Sequence, residues 1–138
     1  MPSTLPDYLS IVYRPDLDVL VGRWMRQVTL EEMQQGYELL LEEAAQHRCR
    51  QWLIDVRRRL NTDREGAHWM VTEFLPRLQP LLGGFTHLAY LLAPVILRDP
   101  DADAAFPTAN SLAGKPFMGE RFIDEREAIE WLQQQRQA

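Results

Sequence analysis

Arg57-Arg58-Arg59 is a run of three consecutive arginines, and Asn61, Thr62 and Arg64 follow within five residues. Guanidinium groups present several N–H donors in a planar fork that matches a carboxylate or phosphate. The run follows an apolar segment that reads as a strand, and it precedes a segment that reads as a helix. Ligands of open α/β sheets gather beyond the carboxyl ends of strands, and helix N-termini attract anions. These six residues are therefore the candidate site for an anion or an acidic partner. The plainer reading is a solvated loop whose arginines pair with Asp55, Asp63 and Glu65, because runs of charge are usually hydrated. Thr62 offers a hydroxyl for phosphorylation, but it also opens Thr62-Asp63-Arg64-Glu65. In that capping box its role is to cap a helix, for about 1 kcal/mol.

Other chemistry-bearing side chains are scattered. His47, His68 and His87 have no i, i+3 or i, i+4 partner histidine of the kind a helical metal site uses. His68 shares a predicted helix face with Glu65 and Thr72, an arrangement more typical of a surface pair than of a general base. Cys49 lies between Arg48 and Arg50, which would favour its thiolate, but the chain has no second cysteine to resolve an oxidised thiol. No Gly-rich phosphate loop, nucleophile elbow, metal motif or cofactor motif is present. Trp69, Met70 and Phe74 lie close together on the second predicted helix. Trp69 falls off the best apolar stripe, so this trio reads either as core or as a surface for a partner or small apolar ligand.

The 138 residues suffice for one domain with a core of its own, and 46% hydrophobic with 25% charged residues are ordinary globular values. A net charge of −5 argues against general nucleic-acid binding, which needs a basic face. No apolar run approaches the length of a membrane span. Met1 to Pro6 carries neither a basic region nor an apolar stretch, so it does not read as a secretory signal. One cysteine excludes an intrachain disulfide and suits a reducing compartment. A cytoplasmic protein is expected.

The elements that would position these groups follow from periodicity. Residues 1–7 form a leader arm, and residues 8–136 a single domain. Tyr8–Tyr13 and Leu17–Met25 read as strands joined across Arg14-Pro15-Asp16, an antiparallel hairpin. On the second strand Leu17, Val19 and Val21 share one side, and Arg23 continues it. Thr29-Leu30-Glu31-Glu32 is a capping box for a helix running to about Gln46, with Leu30, Met33, Tyr37, Leu40, Leu41 and Ala44 on one face. Gln51–Val56 is nearly continuous in apolar residues, as in strands covered on both faces. Val71, Phe74, Leu75, Leu78 and Leu82 predict a second long helix, with Pro76 inside it as a kink and Gly83-Gly84 as its end. His87–Ala93 is a fourth strand that Pro94 closes or places at an edge. Residues 98–117 lack regularity apart from a short helix starting near Asp101. Arg121–Leu132 then gives a strand running into Asp124, a helix cap, with Glu127 three residues on. The order β-β-α-β-α-β-(α)-β-α predicts an α/β domain around one mixed, mostly parallel sheet with an N-terminal antiparallel hairpin.

That order resembles the STAS-like fold of sporulation anti-sigma-factor antagonists, and above all the stand-alone bacterial STAS/SEC14-like domains. The resemblance rests on the opening hairpin, on Thr29–Gln46, on the strand ending Leu53-Ile54-Asp55-Val56 and on the Arg121–Leu132 tail, and covers roughly Tyr8 to Leu132. It implies a protein that binds partners or ligands and is not an enzyme. Phosphorylation-controlled members carry an Asp-Ser-Ser-Gly-like segment at the start of the second helix. Here Leu60-Asn61-Thr62-Asp63-Arg64 has neither the serine pair nor the glycine, which argues against a kinase-switched antagonist.

A non-enzymatic STAS-like interaction or regulatory domain is therefore expected, with no cofactor and no metal. Homodimerisation is expected because Trp24, Trp69, Met70, Phe74 and Phe85 together read as too bulky for one small core, and two-fold association is the commonest solution. The competing expectation is a small-molecule or lipid-binding domain with a pocket between the second helix and segment 98–117.

Overall fold

The computed structural model describes residues 6–58, 64–95 and 115–137. Residues 1–5 of the leader arm, Arg59 to Asp63 and most of segment 98–117, with its expected short helix, lie outside the described residues. The chain forms β1 (Leu9–Arg14), β2 (Val19–Trp24), α1 (Leu30–His47), β3 (Gln51–Asp55), α2 (Arg64–Trp69), α3 (Leu78–Leu82), β4 (Thr86–Leu91), β5 (Phe117–Phe122) and α4 (Glu125–Gln137). The five strands are ordered β1-β2-β3-β4-β5. β1 runs antiparallel to β2, and every other neighbouring pair is parallel. This is the α/β mixed sheet with an N-terminal hairpin that the sequence predicts. β4 lies between β3 and β5, so Pro94 follows an interior strand rather than marking an edge.

Strand alternation divides the core into two layers. Leu20, Trp52, Ile54, Leu88 and Tyr90 point to the face covered by α1 and by the helical stretch from α2 to α3. Val19, Val21, Leu53, Ala89 and Leu91 point to the opposite face, where Ala128 and Leu132 of α4 pack on them. All five residues of β3 are buried, as expected of a strand covered on both sides. Gly36 brings α1 close to the sheet, since a Cβ there would sit 2.4 Å from Cη2 of Trp24.

Of the three caps read from sequence, those at Thr29 and Asp124 form, and Thr62 lies outside the described residues. Glu32 N–H donates to Thr29 Oγ1 at 3.1 Å, and Thr29 N–H donates to Glu32 Oε1 at 3.0 Å, closing the box at α1. Asp124 Oδ1 accepts from Arg126 N–H at 2.8 Å and starts α4.

The second helix is not a kinked α-helix. Between α2 and α3 it widens into a π-turn at Met70–Phe74 and tightens into a 3-10 turn at Leu75–Arg77. Pro76 supplies the reason: it has no N–H, and its ring would crowd the carbonyl of Thr72 in a regular α-helix. The π-turn lets Leu75 N–H reach Met70 O instead. Gly83, at φ 83°, ends α3.

Candidate functional site

The carboxyl ends of β2 and β3 meet the N-terminus of α4 at a cluster of four charges. Arg23 follows Val19 and Val21 on the α4 face of β2, and Asp55 follows Leu53 on the same face of β3. The parallel register places Arg23 directly beside Asp55. Arg23 Nη1 donates to Asp55 Oδ2 at 2.9 Å and to Glu125 Oε1 at 2.7 Å, and its Nη2 reaches Glu125 Oε2 at 3.2 Å. Arg57 folds back on the same carboxylate: its backbone N–H and Nε donate to Oδ1 at 3.1 and 3.0 Å, and Nη2 donates to Oδ2 at 2.8 Å. Asp55 thus accepts four hydrogen bonds from two arginines.

Burial pushes the Asp55 carboxyl up, but the bonds from Arg57 and Arg23 outweigh it and hold the group below its ordinary value. Glu125 is likewise lowered, first by Arg23. Both guanidiniums are raised, Arg23 chiefly by Glu125 and Arg57 chiefly by Asp55. All four groups stay ionised at neutral pH, so none is poised to give or take a proton. Their charges cancel. Arg58 is exposed beside them and adds one positive charge, with no ion-pair partner among the described residues. Trp24 and Met25 complete the lining of a concavity of about 580 Å³ over this cluster.

The structure distributes the six predicted anion-site residues unevenly. Arg57 and Arg58 line the concavity. Arg59, Asn61 and Thr62 lie outside the described residues, as does the side chain of Arg64, whose backbone opens α2. Arg57 pairs with Asp55, one of the three acids that the plainer reading named. Sequence reasoning did not assemble Arg23 and Glu125 into the site. The available signal was Arg23 itself, a charge continuing the inward side of an otherwise apolar strand.

Trp69, Met70 and Phe74 belong to the core rather than to an open surface. Phe74 is fully buried, with its ring 5.3 Å from Tyr37, 6.1 Å from Trp52 and 5.4 Å from Trp69. Met70 is buried beside it, and Trp69 is partly buried against the same cluster. Trp24 is buried too, so of the five groups held too bulky for one core only Phe85 remains substantially exposed. The packing premise for a dimer therefore fails. The core alternative for Trp69, Met70 and Phe74 is the one that holds, and the π-turn explains why Trp69 joins it from off the regular stripe, because it rotates the helix relative to a 3.6-residue period.

Cys49 is buried, with its Sγ 3.3 Å from Gln51 O. His47 stacks on Tyr13 at 3.9 Å. His68 is exposed, and its carbonyl accepts from Thr72 Oγ1 at 2.7 Å. Among the described residues no group of three His, Cys, Asp or Glu side chains is arranged to hold a metal ion, and no helix is long and apolar enough to cross a membrane. Compared with known proteins, the chain matches no family model, no curated protein and no solved structure.

Proposed function

We propose that the protein is a STAS-like, non-catalytic interaction domain that binds an acidic group of a partner at the carboxyl edge of its sheet. The observation that carries this reading is the pairing state of the arginines there. Arg23 and Arg57 are tied to Asp55 and Glu125 and build a rigid, neutral floor. Arg58 stands next to that floor, exposed and with no ion-pair partner among the described residues. Such an arrangement holds a carboxylate by charge and hydrogen bonds, but its groups have no proton to exchange at neutral pH. The order of elements supports the STAS-like assignment. A cytoplasmic location and self-association, through the β1 edge or a helical face, belong to the same proposal.

The test is a titration with a glutamate-rich peptide, followed by amide chemical shifts at low and high salt. Binding is expected around Met25, Arg57 and Arg58, weakening with salt and lost in Arg58→Glu. Salt-insensitive binding that survives Arg58→Glu would overturn the site. For self-association, sedimentation equilibrium that shows only the 16.1 kDa monomer would remove that part of the reading.

A further inference from the structure

β1 and β5 are the two edges of the sheet, and they are built differently. At β5, Leu92 N–H donates to Phe122 O at 2.7 Å, so Phe122 directs its backbone toward β4 and Arg121 directs its own outward. Glu120 Oε1 takes that outward Arg121 N–H at 3.0 Å, and the two side chains put charge of both signs on the edge. Charges and occupied backbone groups are what keep a further strand from adding to a sheet.

β1 has neither guard. Met25 N–H donates to Tyr8 O at 2.8 Å, which makes Tyr8, and then Ser10, Val12 and Arg14, the positions that bond to β2. Ile11 and Tyr13 therefore direct their N–H and C=O groups away from the sheet. The register with β2 runs unbroken over all six residues, without a bulge, and Leu9 to Tyr13 holds no proline and no charge. On the α4 face of β1 lie Ser10, Val12 and Arg14, opposite Arg23, Val21 and Val19. α4 packs chiefly on β3, β4 and β5, and Val12 is left 49% exposed.

This edge is complementary to itself. Antiparallel pairing of two β1 strands about a two-fold axis at Val12 sets Ile11 opposite Tyr13 of the second copy and joins their outward backbone groups. It brings the two Val12 side chains together as a close, non-bonded pair. Ser10 falls opposite Arg14 of the second copy, so no like charges meet, and Arg14 is already paired with Asp16 at 2.7 Å. The ladder also ends in step. The next outward pair is Leu9, whose N–H donates to Pro6 O at 3.4 Å, with Pro15, which has no N–H. An axis at Tyr13 would instead set Ile11 against Pro15. An axis at Ile11 would set Tyr13 against Leu9 and leave Val12 facing Ser10.

We infer that a second copy of this chain docks on the β1 edge, strand against strand about a two-fold axis at Val12, so that the two sheets become one. This rests on the self-association proposed above, whose surface and register it names, and does not depend on the acidic-partner site.

The test is sedimentation equilibrium across the micromolar range on wild type and Val12→Lys, with oxidative cross-linking of cysteine variants. Wild type is expected at twice the 16.1 kDa chain mass. Val12→Lys should weaken the dimer about tenfold, through the lost valine contact and the opposed ammonium groups. Its denaturant midpoint should match wild type, because the side chain lies outside the core. Val12→Cys should form a disulfide-linked dimer, since a non-bonded pair brings Cβ atoms to about 4.5 Å, and the buried Cys49 does not compete. Ser10→Cys and Arg14→Cys should cross-link when mixed and not when alone. A monomeric wild type would remove self-association and this inference together. A dimer that Val12→Lys leaves intact, or one in which Ser10→Cys alone cross-links as readily as Val12→Cys, would overturn this inference and leave self-association standing.

Discussion

At the carboxyl ends of β2 and β3, Arg23 and Arg57 are bonded to Asp55, whereas at the amino ends of β3 and β4, Arg48 and Arg50 have no ion-pair partner among the described residues. The difference follows from where the backbone places each charge. Arg23 and Asp55 are neighbours in parallel register on a covered face, where an unpaired charge would be costly. Arg48 and Arg50 flank a helix end and a strand start, both in water, where hydration suffices. An arginine run in a sequence therefore has no single meaning. Pairing makes a guanidinium part of the scaffold, and openness leaves it for a ligand. Arg57 and Arg58, adjacent in sequence, fall on opposite sides of that division.

The largest way to break the comparison is to remove the acid at the centre of the paired end. Asp55→Ala strips two guanidiniums and a backbone N–H of their acceptor. The expected loss is about 2–3 kcal/mol in denaturant unfolding, below the 3–5 kcal/mol of fully buried pairs. The discount applies because the Arg23 and Arg57 side chains are 34% and 46% exposed, against 8% for Asp55. A loss under 0.5 kcal/mol would make the cluster ornamental.

Acid should act on the same end next. The folded-state pKa values of Asp55 and Glu125 lie below their ordinary 3.8 and 4.5. The unfolded chain then binds more protons in that range, so this stability is complete above about pH 5 and is lost as pH falls through the depressed values. Asp55→Asn should flatten the decline. At the other end His87 gives a distinct window. Its folded pKa lies below 6.5, so its contribution is present above that value and fades as pH falls below it. A His87→Gln variant should lose this shallow slope while keeping the steeper one under pH 5.

Arg48→Gly should stabilise by about 0.5–1 kcal/mol, because it relieves a left-handed backbone without breaking an ion pair among the described residues. Arg58→Gln should fall within about 0.5 kcal/mol of wild type, as exposed substitutions do. Thermal or denaturant unfolding of these two beside Arg57→Gln would sharpen the contrast between open and paired arginines. Equal effects at positions 57 and 58 would erase it.

The fold was legible in the sequence because its signals are local. The Thr29–Glu32 box, the continuous β3 and the Asp124 cap each depend on residues within a few positions. The paired site was half legible. Arg57 and Asp55 are two residues apart, but Arg23 and Glu125 are brought together across 102 positions by sheet register and the docking of α4. Periodicity alone does not report such a contact. Trp69 falls off the predicted apolar stripe for another reason: the π-turn before Pro76 breaks the 3.6-residue spacing on which face assignment depends.

The most direct measurement is amide chemical-shift mapping of wild type, Arg58→Glu and Arg48→Gly titrated with the glutamate-rich peptide. Perturbations are expected at Met25, Arg57, Arg58 and Glu125 in wild type and in Arg48→Gly, and to vanish in Arg58→Glu. Perturbations that persist in Arg58→Glu, or that map to Arg48 and Arg50, would contradict an acidic-partner site at the carboxyl edge of the sheet.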